Sequence, residues 1–227
     1  CFSPVNKQKS GSMLMKNVTY KQLSLADMKE IVVLQQIVTQ SLEDSTILQP
    51  LSHAELENIL ENNGVMLGAF QGDQLIACRA LLKPDPTEDE HLGVDARAVD
   101  LSRVLYQEVS FVHPSYRGHG LQRKLGQRIM ELVNLADYDV ICATVKPFNI
   151  ASLKDKFTQG LHVVALKYKY GGKLRYVFAK YLHDEVKLTD EQVVINMANT
   201  EEQQTILSQG YVGIELIQTE DSWAVLY

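Results

Sequence analysis

Polar and apolar positions between residues 17 and 182 switch repeatedly between a two-residue and a helical period. NVTYKQ (17–22) alternates and reads as a half-buried strand. MKEIVVLQQIVTQSL (28–42) has helical spacing behind a capping-box-like Ser24 and Asp27. A second helix begins at Ser52 with Glu55, runs through ELENILENN and is expected to close on Gly64. In 64–82 two apolar runs flank Gln71-Gly72-Asp73-Gln74, a hairpin signature. Residues 83–101 break the pattern with two prolines and with seven charged residues from Asp85 to Asp100, and read as a loop. RVLYQEVSFV (103–112) is a strand. LQRKLGQRIMELVNLA (121–136) is a helix with Leu121, Leu125, Ile129, Leu132 and Val133 on one face. A buried strand (138–145), a helix ended by Gly160 (149–160) and two strands joined at Gly171-Gly172 (161–170, 173–182) complete this region.

Beyond 183–192 a strand–helix–strand pattern returns. Residues 193–216 parallel residues 143–166 at an offset of 50, so that Asn199 matches Asn149, Gln209 matches Gln159 and Gly210 matches Gly160. SWAVLY (222–227) adds a last strand. Two copies do not make a solenoid. Shared helix–turn–strand chemistry accounts for the glycine matches as well as duplication does, and both accounts stay open here. Three segments follow. Residues 1–14 are an aperiodic leader, with Gly11-Ser12-Met13 reading as a cloning scar. Residues 15–182 form the main domain, and 183–227 a C-terminal extension packed on the core or used in dimerisation.

Composition narrows the class. Among 227 residues, 45% are hydrophobic and 22% charged, as in ordinary globular chains. The net charge of −6 argues against a nucleic-acid partner, which usually leaves a basic face. No apolar run approaches the ~20 residues of a membrane span, and no charged-then-apolar leader is seen, so a membrane role and secretion are not expected. Cys1, Cys78 and Cys142 form no CxxC or Cys/His spacing. A reducing cytoplasm is the expected location. The six histidines lack ligand spacing, so no metal is expected.

The segment HPSYRGHGLQRKL (113–125) carries the most chemistry. A strand feeding a short loop and a helix presents free backbone N–H groups and the positive end of the helix dipole, which together attract an anion. Gly118 and Gly120 allow close backbone approach. Arg117 adds a fork suited to phosphate oxygens. A P-loop would require GxxxxGK[ST], and Leu121 and Gln122 follow Gly120 instead. A dinucleotide loop would require glycine where Arg123 stands.

What fits is Val112-x-Pro114 followed by Arg117-Gly118-His119-Gly120-Leu121-Gln122. This resembles the signature of the GNAT superfamily of acyl-CoA-dependent N-acyltransferases, [QR]-x-x-G-x-[GA], with Gln122 departing from the usual Gly or Ala. The order of elements over about residues 16–182 matches as well. The resemblance implies an α/β (α+β) fold: a mixed, mostly antiparallel sheet flanked by helices, with splayed central strands, here followed by the strand–helix–strand extension. It implies an acetyl-CoA co-substrate whose pyrophosphate lies on 117–122, and whose pantetheine lies against the end of the signature strand at Phe111 and Val112.

The same resemblance places Asn149 and Ser152 at the positions of a pantetheine-binding Asn and the small residue three on. Asn149 is also a natural helix N-cap. Lys156 stands where many members place the Tyr that protonates the departing thiolate. Lys156, water, Tyr106, Tyr168, Tyr170 or Tyr176 could supply that proton. Glu108, four residues before Val112, is at the position of a general base in several members. By strand alternation Tyr106, Glu108 and Ser110 are expected to share a face. The function implied is acetyl transfer to a primary amine of a small molecule or peptide by direct attack in a ternary complex. The alternative is an acyl-CoA-binding module with little catalysis, for which Lys156 in place of Tyr is the argument.

Overall fold

The computed structural model describes residues 17–227; the leader expected at 1–14 lies outside the described residues. The strands are β1 (Val18–Gln22), β2 (Gly64–Gln71), β3 (Gln74–Leu82), β4 (Val104–Val112), β5 (Val140–Val145), β6 (His162–Lys169), β7 (Lys173–Tyr181), β8 (Val194–Asn196), β9 (Glu215–Gln218) and β10 (Trp223–Leu226). The helices are α1 (Met28–Gln40), α2 (His53–Asn58), α3 (Leu92–Asp95), α4 (Leu121–Ile129), α5 (Ile150–Thr158) and α6 (Thr200–Ser208).

Seven strands form one sheet in the order β1-β2-β3-β4-β5-β7-β6. Every pair is antiparallel except β4–β5. The period-2 pattern explains how both faces are covered. Met66, Cys78, Ala80 and Phe111 pack under α1, α2 and the turn that follows it, where Ile31, Leu34, Leu56 and Ile59 meet them. Leu67, Ala69, Leu81 and Leu105 face Leu121, Leu125 and Ile129 of α4. The expected α/β architecture is therefore present, as is the extension, in which β8-β10-β9 make a second, antiparallel sheet. None of the described helices is long and apolar enough to cross a membrane.

Three local expectations are corrected. The helix expected over 121–136 stops at Ile129 and continues as 3-10 turns at 130–132 and 135–137. Val133 and Asn134 are poor helix formers; Asn134 instead turns the chain by accepting the Ala136 N–H, and Leu132 stays exposed. Gly64 does not cap in a left-handed conformation. It is extended, and glycine is needed because a Cβ there would lie 2.4 Å from the Leu81 carbonyl oxygen. Segment 83–101 is not a plain loop either. It contains α3, buries His91, Leu92 and Ala96, and is pinned where the Leu92 N–H donates to the Tyr106 hydroxyl at 2.7 Å.

Candidate active site

Strands β4 and β5 pair for only three residues, Val104–Tyr106 against Val140–Cys142. Beyond that point β4 pairs with β3 alone and β5 with β7 alone. The gap between them is the splay, and the free edge of β4 from Gln107 to Val112 lines it. Within this edge Ala80 pairs with Val109 and Leu81 with Gln107, so Glu108 is the extra residue of a β-bulge. The bulge corrects the expected alternation. Ser110 opposes Arg79 and Gln107 opposes Leu81, so these two share the α4 face, while Val109 and Phe111 take the other. Glu108 is thereby swung into the cavity beside the splay.

That cavity measures about 510 Å³ and draws its walls from α2 and the segments flanking it, from 82–92, β4, the end of β5, α5 and Tyr170. Glu55, Glu88, Asp89, Glu90 and Glu108 all line it. Among the described residues none of these carboxylates has a salt-bridge partner. Burial pushes the Glu108 carboxyl up to about 7, with Glu55 and Glu88 adding repulsion.

The signature loop lies at the start of α4. Gly120 is its N-cap at φ +71°, and Gly118 stands at φ +80°. A Cβ at either would meet nothing within 4 Å, so the backbone conformation, not crowding, calls for glycine and the space above is open. Leu121 is buried in the core and offers only its backbone N–H. Arg117 is exposed and donates to the Ser41 hydroxyl at 2.8 Å. The His119 ring folds back onto the carbonyl oxygens of Arg117 and Tyr116 at 2.9 and 3.2 Å. Gln122 lines the cavity, and its carbonyl accepts from Arg79. Phe111 is fully buried, so only its main chain faces the splay. Asn149 caps α5 by accepting the Ser152 N–H at 3.4 Å, and both residues line the cavity.

Lys156 reaches the cavity from α5 as part of a buried polar cluster. Its Nζ donates to Gln107 Oε1 at 2.7 Å and lies 3.2 Å from Asp155 Oδ2. Arg79, 1% exposed, donates to the same two groups at 2.9 Å. Gly126 on α4 makes room, since a Cβ there would sit 3.1 Å from the Arg79 guanidinium. Burial and the adjacent Arg79 bring the Lys156 ammonium down to about 7. For Asp155 burial alone would raise the carboxyl, but the Lys156 and Arg79 cations hold it below its ordinary value.

Of the tyrosines considered for the same role, Tyr106 and Tyr170 line the cavity. Tyr106 donates to Glu88 at 2.7 Å. Tyr176 is buried against Gln203, and Tyr168 lies outside the lining. Arg79, Gln107, Asp155 and Glu88 were not expected here. Arg79 could have been noticed as a lone charge inside the apolar run 75–82. Among the described residues no group of three His, Cys, Asp or Glu is placed to hold a metal ion.

Neither a protein-family profile nor a curated protein sequence matches this chain. Solved structures do. An acetyltransferase of the GNAT family from Streptococcus pneumoniae superposes with a TM-score of 0.55 at 16% identity, covering 73% of this chain and 100% of its own. NAA60 of Arabidopsis thaliana, in complex with acetyl-CoA, gives 0.56 at 13%, covering 74% and 100%. The ribosomal-protein-S18-alanine N-acetyltransferase of Escherichia coli gives 0.55 at 12%, covering 77% and 100%. With its splayed central strands and glycine loop in place, this chain has the fold of the GNAT acetyltransferases.

Proposed function

We propose that the protein is a GNAT-superfamily N-acetyltransferase that moves acetyl from acetyl-CoA to a primary amine of a small molecule or peptide. The observation that carries this reading is the parting of β4 and β5 after three residue pairs, at the point where Glu108, Lys156 and, from the signature segment, Gln122 line one cavity. Arg117 and the N–H groups of 118–122 hold the pyrophosphate. The free edge at Phe111 and Val112, with Asn149 and Ser152, holds the pantetheine arm.

An amine acceptor arrives protonated, with a pKa near ~10. Glu108, ionised, takes its proton, directly or through water, and the amine attacks the thioester carbonyl. The Lys156 ammonium gives its proton to the departing thiolate and is then neutral, a state that its buried setting tolerates. Thiol release on mixing acetyl-CoA with an amine panel tests the reaction. Binding of CoA with no turnover of any amine would leave a binding module instead.

Two consequences are measurable. Activity needs Glu108 ionised and Lys156 protonated. It therefore rises with pH as Glu108 deprotonates near 7 and falls as Lys156 deprotonates near 7. The pH profile of kcat/KM is expected to be a narrow bell centred near 7, and a plateau from pH 7 to 9.5 would remove Lys156 as the acid. Gly120→Val forces a β-branched residue to positive φ in the phosphate loop. Calorimetric titration is expected to show CoA affinity falling at least about tenfold, roughly 1.4 kcal/mol.

A further inference from the structure

The offset of 50 between the extension and the main domain extends well beyond sequence matches. Helices α5 (150–158) and α6 (200–208) have the same length at that offset. Each is capped by an Asn whose side chain accepts the N–H three residues on, at 3.4 Å for Asn149 and 3.5 Å for Asn199. The backbone bonds that turn the chain into each helix repeat: Asn149 N–H to Lys146, and Asn199 N–H to Asn196. So do those that end it: Gly160 N–H to Phe157, and Gly210 N–H to Leu207, with both glycines at positive φ. The strands repeat too. The order β5-β7-β6 around α5 recurs as β8-β10-β9 around α6. The last strand is offset by one in both of its pairings: Val145 and Leu166 pair with Tyr176, whereas Ile195 and Leu216 pair with Val225, one residue short of the equivalent place. Shared turn chemistry explains a capping Asn or a terminal glycine, but not three strands in the same order about the same helix.

The two copies also meet symmetrically. Val163 and Gly213, themselves 50 residues apart, form an antiparallel bridge and exchange both hydrogen bonds at 2.9 Å. Equivalent residues bonding reciprocally in antiparallel fashion mark a local two-fold axis. The helices obey it: α6 packs on β6 and α5 packs on β9. Leu153, Val163, Leu166 and Tyr176 from the first copy share one apolar core with Ile195, Met197, Leu207 and Val225 from the second. The catalytic-side chemistry is present in only one copy, since Asp155 and Lys156 correspond to Thr205 and Ile206.

We infer that residues 193–227 duplicate the half-domain 143–177 and dock on it as a built-in homotypic partner that holds the pantetheine-side loop. The sheet edge and helix face that would accept a second copy of such a half-domain are filled by the chain itself. The contact that reaches the site is Met197. Its Sδ accepts the Phe148 N–H at 3.0 Å, and Phe148, at φ +67°, immediately precedes Asn149. A thioether is a weak acceptor, but it leaves that N–H satisfied in a loop that must stay strained. Met197 is thus a positioning residue. Its consequence for CoA rests on the acyltransferase reading; its consequence for the loop does not.

The test uses the full chain and amide hydrogen exchange. Gly213→Val places a Cβ 2.8 Å from Val163 Cβ and should undock the extension. Exchange of the Val163 and Phe148 amides is expected to accelerate together by at least tenfold, while amides of β2 and β3 keep their protection. Unchanged exchange at both positions in the folded variant overturns the inference. Met197→Leu keeps the core filled and covers the case in which Gly213→Val does not fold. Phe148 exchange should accelerate about fivefold with a loss of only about 2–4 °C in thermal midpoint, and no acceleration overturns the positioning role. CoA titration of the same proteins separates the two readings. If the wild type binds no CoA, the acyltransferase reading fails, while the exchange data still decide the docking. If the wild type binds CoA and Met197→Leu binds it equally well, the link between docking and site fails.

Discussion

Glu108→Gln is expected to lower kcat/KM for an amine acceptor by about 10²–10⁴-fold at pH 7, with CoA affinity unchanged. The amide keeps the shape of the side chain at the bulge but cannot take a proton. CoA would lie along the edge of β4 and the loop at 117–122, not on this side chain, so its binding is spared. Steady-state thiol release and calorimetric CoA titration, run on the same preparation, separate the two effects. A variant with undiminished turnover would remove Glu108 as the base. It would leave the other carboxylates of the cavity, Glu55, Glu88, Asp89 and Glu90, as candidates.

Asp155→Asn is expected to cost about 3–5 kcal/mol of stability, read as a fall of about 10 °C in thermal midpoint for a chain of this size. Arg79 and Lys156 share this carboxylate, and all three side chains are buried. Without it two buried cations face each other with only Gln107 and a backbone carbonyl between them. The chain has one escape, because Lys156 can lose its proton. The variant should therefore recover stability as the pH is raised above 7, where the lysine is neutral in the folded state and still charged in the unfolded one. A midpoint unaffected by pH would show that Lys156 is not the strained partner.

The glycine loop was legible because its requirement is local: two glycines at positive φ ahead of a helix leave their spacing in the chain. The strands and most helices were legible for the same reason, since burial on one face writes a period. The bulge was not. It depends on how β3 and β4 register across the long connection at 83–103, and VLYQEVSFV reads as plain alternation. The Arg79 cluster unites residues from β3, β4 and α5 that are up to 76 apart, so no window contains it. The offset of 50 could be read along the chain, whereas the reciprocal bridge at Val163 and Gly213 exists only once both copies are folded.

The parting of β4 and β5 also bears on what binding costs. Opening a sheet to admit a ligand would normally mean breaking ladder hydrogen bonds at the moment of contact. Here that ladder is already forgone from Gln107 onward. The two half-sheets are held at their separation by side chains spanning the gap: Arg79 and Gln107 on one side, Asp155, Lys156 and Gln159 on the other. The wedge is thus open before anything enters it. A ligand arm that offers backbone-like donors and acceptors would take up the place of the missing strand without paying to reorganise its host. The affinity of such an arm should depend on the rigidity of this brace as much as on the groups that it touches.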